Sequence, residues 1–163
     1  MSAQRTLIAG IGNVFMGDDG FGVEVAQRLA RRSWPEGVRV MDAGIRGIDL
    51  TYALIDGYDR AILIDAAQRG REPGTLYVIE PEPGPDQQLT LLDAHALDPV
   101  KVLAYVRSVG SPLSELRVVA CEPEQLGSFD EPCMQLSDVV RAAIDPACEL
   151  VQSLVAEWSV AHA

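Results

Sequence analysis

At 163 residues, with 48% apolar and 23% charged residues, the chain has the length of one ordinary domain and a globular composition, neither disordered nor fibrous. Its 13 Lys+Arg against 24 Asp+Glu give a net charge of −11. That balance argues against nucleic-acid backbones and anionic membrane surfaces as partners, and leaves a protein or a small molecule. Residues 1–163 are read as a single domain.

Taken in chain order, Thr6 to Ala9 is a short β-prone run stopped by glycine, the pattern of a buried first strand. A helix is expected from about Asp19 to Arg32, because Phe21, Val25 and Leu29 recur at helical spacing and Arg28, Arg31 and Arg32 crowd its C-terminal end. After the Ser33–Gly37 turn, Val38 to Met41 reads as a second strand closed by Asp42-Ala43-Gly44, and a short helix follows over Ile48 to Ile55. The continuous apolar run Ala61 to Ile64, ending at Asp65, suits a strand covered on both faces. Thr75 to Ile79 reads as an antiparallel edge strand, and the Pro-rich stretch from Glu80 to Gln88 as a loop.

Pro99 fits the first turn of a helix through Val109, with Val102, Val106 and Val109 on one side. Leu116 to Cys121 is the fifth and last strand. Ser137 is placed to cap a final helix with the stripe Val140, Ile144, Ala147, Val151, Leu154 and Trp158, which Pro146 should kink or interrupt. Strands alternating with helices predict an α/β sandwich on a mostly parallel sheet. No apolar run reaches the length of a membrane helix, and the N-terminal apolar run breaks at once on Gly10, Gly12 and Asn13, so no export signal is read. The odd set Cys121, Cys133 and Cys148 lacks a CxxC spacing and is read as small buried residues of a reducing cytoplasm.

In such sheets a site lies outside the carboxyl ends of the strands. There the sequence places Asp18 and Asp19 after the Gly10-Ile11-Gly12-Asn13 loop, Asp42 after strand two, Asp65 after strand three and Glu122 after strand five. Clustered carboxylates repel unless a cation, a shared proton or a basic substrate compensates. Structural roles compete: Asp18 or Asp19 as N-cap of the first helix, and Asp42 as builder of an Asx turn. Of two histidines, His162 is next to the end, whereas His95 can reach the same rim. Asp19, Asp65 and His95 make a mixed oxygen and nitrogen set suited to a divalent ion such as nickel or zinc. A dinucleotide site is disfavoured, since Phe15 holds the third glycine position, and no GxSxG, P-loop or HExxH motif is present.

The run from Gly10 through Asn13, Gly17-Asp18-Asp19-Gly20 and Val25 resembles the N-terminal signature of the hydrogenase maturation proteases. The similarity continues through Asp42-Ala-Gly, Ile62-Leu-Ile-Asp65-Ala, Pro73-Gly-Thr, His95, Cys121-Glu-Pro-Glu and Leu136-Ser137. The resemblance implies a three-layer α/β/α sandwich on a mixed five-stranded sheet. It also implies an endopeptidase, grouped with the aspartic type, that trims the C-terminus of a [NiFe] hydrogenase large-subunit precursor. Family positions put the metal-binding and catalytic residues on Asp19, Asp65 and His95, with nickel carried by the precursor as the recognition element. Two departures stand out: Ile45 follows Asp42-Ala-Gly where the family has threonine, and Leu92-Asp-Ala precedes His95 in place of a serine-containing approach. The alternatives are a non-catalytic nickel-site chaperone of the same precursor, and a peptidyl-tRNA hydrolase-like enzyme, which would need a histidine soon after the loop and a basic face.

Overall fold

The computed structural model describes residues 4–44, 47–81, 99–128 and 130–161. Among these residues five strands form one sheet: β1 (Thr6–Ile11), β2 (Val38–Gly44), β3 (Arg60–Ala66), β4 (Leu76–Ile79) and β5 (Glu115–Cys121). Their order is β2-β1-β3-β5-β4, parallel throughout except for β4, which runs antiparallel to β5. Among the described residues five helices accompany them: α1 (Phe21–Leu29), α2 (Gly47–Ile55), α3 (Pro99–Ser108), α4 (Asp138–Ala142) and α5 (Ile144–Ala161).

The alternation of β1 builds two cores, as a sheet covered on both faces requires. Leu7, Ala9 and Ile11 face α2 and α3, packing with Leu50, Leu54, Val102 and Val106. Ile8 faces the other way, with Phe21, Val25 and Leu29 of α1 and Val140, Ala147 and Val151 of α4 and α5. The result is the expected three-layer sandwich with a mixed five-stranded sheet. Where the chain departs from expectation, the departures are local. Helix α1 starts at Phe21, because Asp18–Gly20 forms a tighter 3-10 turn, and it ends at Leu29. Arg28, in its last turn, and Arg32, just beyond it, pair with Asp145 and Glu149 of α5. Helix α3 stops at Ser108, so Val109 lies outside the stripe and is exposed. The final helix is two helices: Pro146 has no N–H to offer the preceding turn, and the chain breaks at Ala143 before α5 begins.

One glycine contact sets where α1 sits. A Cβ on Gly22 would lie 2.1 Å from the Ile64 carbonyl oxygen and 2.4 Å from that of Ile11. One on Gly10 would lie 2.1 Å from the Gly22 carbonyl oxygen. Backbone therefore touches backbone, and the start of α1 is pressed onto the carboxyl ends of β1 and β3. Gly22→Ala should cost about 3 kcal/mol, because rigid main chain has to move to admit one methyl group. In a thermal melt that is a drop of roughly 6–12 °C. An unchanged melting temperature would show that α1 can lift without penalty.

Candidate functional site

The loop between β1 and the 3-10 turn is shaped by Gly12 and Asn13. Gly12 has φ 139°, and a Cβ there would lie 1.8 Å from the Asp19 carbonyl oxygen, so only glycine fits. The Asn13 side chain accepts the Phe15 N–H at 2.9 Å, an Asx turn. The Asn13 N–H in turn donates to Asp19 Oδ2 at 2.8 Å. Asp19 is half-buried and is oriented by the backbone of its own loop.

Asp65 emerges from the end of β3, also half-buried, with Oδ1 accepting its own neighbour's N–H, that of Ala66, at 2.8 Å. Its carboxyl is pushed from the usual 3.8 up to about 7. Burial is the larger cause, the nearby Asp19 charge adds to it, and the Ala66 N–H pulls the other way. Of the carboxylates at this rim, these two feel each other.

The other rim carboxylates are taken by structure. Asp18 is fully buried. Its Oδ2 accepts the Glu124 and Gln125 N–H groups at 2.9 and 2.8 Å and the Ser137 hydroxyl at 2.8 Å, and its Oδ1 accepts the Ser137 N–H at 2.7 Å. Neither Asp18 nor Asp19 caps α1, whose N-cap is Gly20 with no side-chain bond. Ser137 does stand at the N-cap of α4, but its hydroxyl serves Asp18 and not the helix. Asp42 builds the Asx turn, its Oδ1 accepting the Gly44 N–H at 3.0 Å. Glu122, 5% exposed, accepts the N–H groups of Arg69 and Gly70, which anchors the loop after β3.

The strap from Glu122 to Ser137 lies along the Gly12–Gly20 loop through main-chain bonds. Gly17 N–H donates to the Cys133 carbonyl at 2.6 Å, Cys133 N–H to the Phe15 carbonyl at 2.8 Å, and Asp18 N–H to the Gln125 carbonyl at 2.8 Å. Cys133 belongs to this strap and is half-exposed, unlike the buried position expected for it; Cys121 and Cys148 are buried. Burial, with Asp18 and Glu122 next, pushes the Cys121 thiol up to about 12, which removes it as a nucleophile.

His95, the expected third ligand, lies outside the described residues, as do His162 and the Pro-rich stretch from residue 82. Among the described residues no three His, Cys, Asp or Glu side chains are gathered to hold a metal ion. Asp19 and Asp65 supply two oxygen donors, so an ion here needs further ligands. Asp18 as a latch, and Asn13 as the group that aims Asp19, were not legible as such from sequence; the doubled acid inside a glycine frame was the one available signal. Among the described residues no helix is long and apolar enough to cross a membrane.

The HycI hydrogenase maturation protease profile matches residues 23–154. The chain is 34% identical over 165 residues to the hydrogenase expression/formation protein HoxM of Azotobacter vinelandii, covering all of this chain and 78% of that one. It is 30% identical to the hydrogenase 2 maturation protease of Escherichia coli, covering 96% of this chain and 93% of that one. The fold superposes on the hydrogenase maturating endopeptidase HybD of E. coli with a TM-score of 0.77 at 30% identity, over 94% and 93% of the two chains. A β3-end carboxylate coupled to one on the glycine loop thus sits in a fold and sequence shared with these peptidases, and the chain belongs to the hydrogenase maturation protease family.

Proposed function

We propose that this chain is the endopeptidase that removes a C-terminal peptide from the nickel-loaded precursor of a [NiFe] hydrogenase large subunit. It works in the cytoplasm, with chemistry of the aspartic type. The observation that carries this reading is the Asp19–Asp65 pair, isolated from the structural carboxylates around it and aimed at the rim where α/β sheets bind ligands. The nickel is part of the substrate. Asp19 and Asp65 offer it two hard oxygens, His95 is the residue proposed to add a nitrogen, and the precursor supplies the rest of the shell. A cation between the two carboxylates offsets the repulsion that Asp65 shows without one. The protein's own part is to hold the precursor's C-terminal segment against these carboxylates while a peptide bond is hydrolysed.

Incubation with nickel-loaded precursor, followed by intact-mass measurement, tests the reading. The expected result is loss of one C-terminal peptide with wild-type enzyme, and an unchanged mass with Asp19→Asn or His95→Ala. Stoichiometric binding with no change of mass would instead make the protein a nickel-site chaperone. Because its own ligands leave the shell incomplete, the free protein should hold nickel weakly and lose it to a chelator, as equilibrium dialysis would show. A stoichiometric metal that survives chelation contradicts a substrate-borne ion.

A further inference from the structure

Next to the carboxylate pair, a cleft of about 310 Å³ opens where the Gly12–Gly20 loop, α1 and β2 meet. Val14, Phe15 and Val23 give it an apolar wall, and the end of β2 lines it with Gly44 and with Asp42, which is exposed at its solvent side. It shares a wall with the proposed reaction centre, because Asn13 both lines the cleft and donates its N–H to Asp19. Its size is at the lower end for ligand sites, enough for one or two side chains and not for a cofactor. Among the described residues, strand β2, which ends in this cleft, is an edge of the sheet and pairs only with β1. An edge that the described residues leave open, running into an apolar pocket, is the arrangement that binds an extended peptide by strand addition. There main-chain bonds supply affinity and the pocket selects a side chain.

Two further features fit such an occupant. Phe15 is 53% exposed beside the cleft, and the strap places Leu126 and Met134, 43% and 70% exposed, along the same loop. Main-chain bridges of Gly17 to Leu126 and of Met16 to Cys133 bring these segments together. Large apolar side chains in solvent are thus gathered on the rim that carries the carboxylate pair. Asp42 is exposed, and with Oδ1 on Gly44 it presents a carboxylate at the mouth, in a protein of net charge −11. A peptide that follows β2 into the cleft therefore meets an apolar seat with an anion at its entrance.

We propose that this cleft, at the open end of β2, seats an apolar side chain of the hydrogenase precursor's extended C-terminal segment, with a neighbouring Lys or Arg of that segment on Asp42. The assignment rests on the peptidase reading above and names how that site chooses its substrate. Strand addition to β2 fixes the direction of the peptide, and the filled cleft fixes its register. The bond presented to Asp19 and Asp65 is then set by the distance from the seated side chain.

The probe is the nickel-loaded large-subunit precursor from the same host, mixed with the Asp19→Asn protein so that the complex persists. Hydrogen exchange should slow at the β2 amides on binding. Val14→Asp and Phe15→Ala, each checked for an unchanged melting temperature, should weaken binding by roughly tenfold or more. In otherwise wild-type enzyme the same changes should raise KM more than they lower kcat. Asp42→Lys should lose a similar factor and regain it with a precursor in which one basic residue near the cleaved bond is changed to Glu. A merely structural Asp42 would not show that rescue. Precursor that binds with β2 exchange unaltered, or with Val14→Asp and Phe15→Ala harmless, overturns the proposal while leaving the peptidase reading intact. Precursor that binds along β2 and is never cut by wild-type enzyme supports the docking and sinks the peptidase reading.

Discussion

Asp18→Ala is expected to melt roughly 8–16 °C below the wild type, a loss of about 4 kcal/mol. The cause is the number of donors that converge on one buried carboxylate. Three N–H groups and one hydroxyl, from Glu124, Gln125 and Ser137, lose their acceptor together. A hydrogen bond to a charged group contributes about 1.5–3 kcal/mol, and donors left without a partner in a dry site cost more than the bond alone. The four bonds share one side chain, so their contributions do not add, which is why the estimate stays well below four times the single value. Asp18→Asn should recover little. Its amide keeps one acceptor but turns a second donor toward groups that are donors already. Asp42→Asn, which changes an exposed Asx turn only, should stay within about 0.5 kcal/mol of wild type. Equal melting temperatures for Asp18→Ala and Asp42→Asn would show that the strap does not depend on Asp18.

The same substitution should also stop processing, through position and not through chemistry. Asp18 ties the strap from Glu122 to Ser137 onto the loop whose backbone aims Asp19. With the strap released, hydrogen exchange should quicken at Gly17, Asp18 and Cys133, whose N–H groups bond across the two segments. The strands far from the strap should keep their protection.

The contrast between Asp18 and Asp19 marks what the sequence could and could not convey. Strand β1, the body of α1 and the β3 run ending at Asp65 were legible because period and composition are local properties. The fate of two adjacent aspartates was not local. In a 3-10 turn successive side chains point about 120° apart, so one acid of the pair turns into the protein and the other toward the rim. Which acid goes inward depends on donors 106 to 119 residues away, and spacing carries no trace of them. Glu122, placed by sequence at the same rim, is held by donors just as remote, those of Arg69 and Gly70 across the sheet. Asp42 fared better, since an Asx turn is made with the next two residues and reads directly from Asp-Ala-Gly. From five acids at one rim the residue reading and the family resemblance both singled out Asp19 and Asp65, and these are the two whose carboxyls interact in the structure.

Asp65→Asn should abolish processing and yet make the free protein more stable at neutral and alkaline pH. The two effects have one source. In the folded chain the Asp65 carboxyl is raised from 3.8 to about 7, chiefly by burial and then by the Asp19 charge. A group whose pKa is raised on folding favours its protonated form there. Wild-type stability is therefore undiminished by this group below about pH 4, falls as pH rises toward 7, and levels off above it. The rise from 3.8 to about 7 sets an upper bound of roughly 4 kcal/mol on that loss, and solvent reaching a half-buried group reduces it. Asparagine cannot ionise, and its carbonyl can still accept the Ala66 N–H. The variant and the wild type should then melt together near pH 4 and separate steadily up to about pH 8, with the variant higher. A variant that melts lower at every pH would identify Asp65 as a structural acceptor and end its assignment to the site. Asp19→Asn divides the two causes. Because burial is the larger one, the Asp65 carboxyl, followed by NMR titration in that variant, should fall only part of the way back and remain above its ordinary value. A full return to the ordinary range would make the Asp19 charge, and not burial, the reason that a carboxylate here awaits a cation.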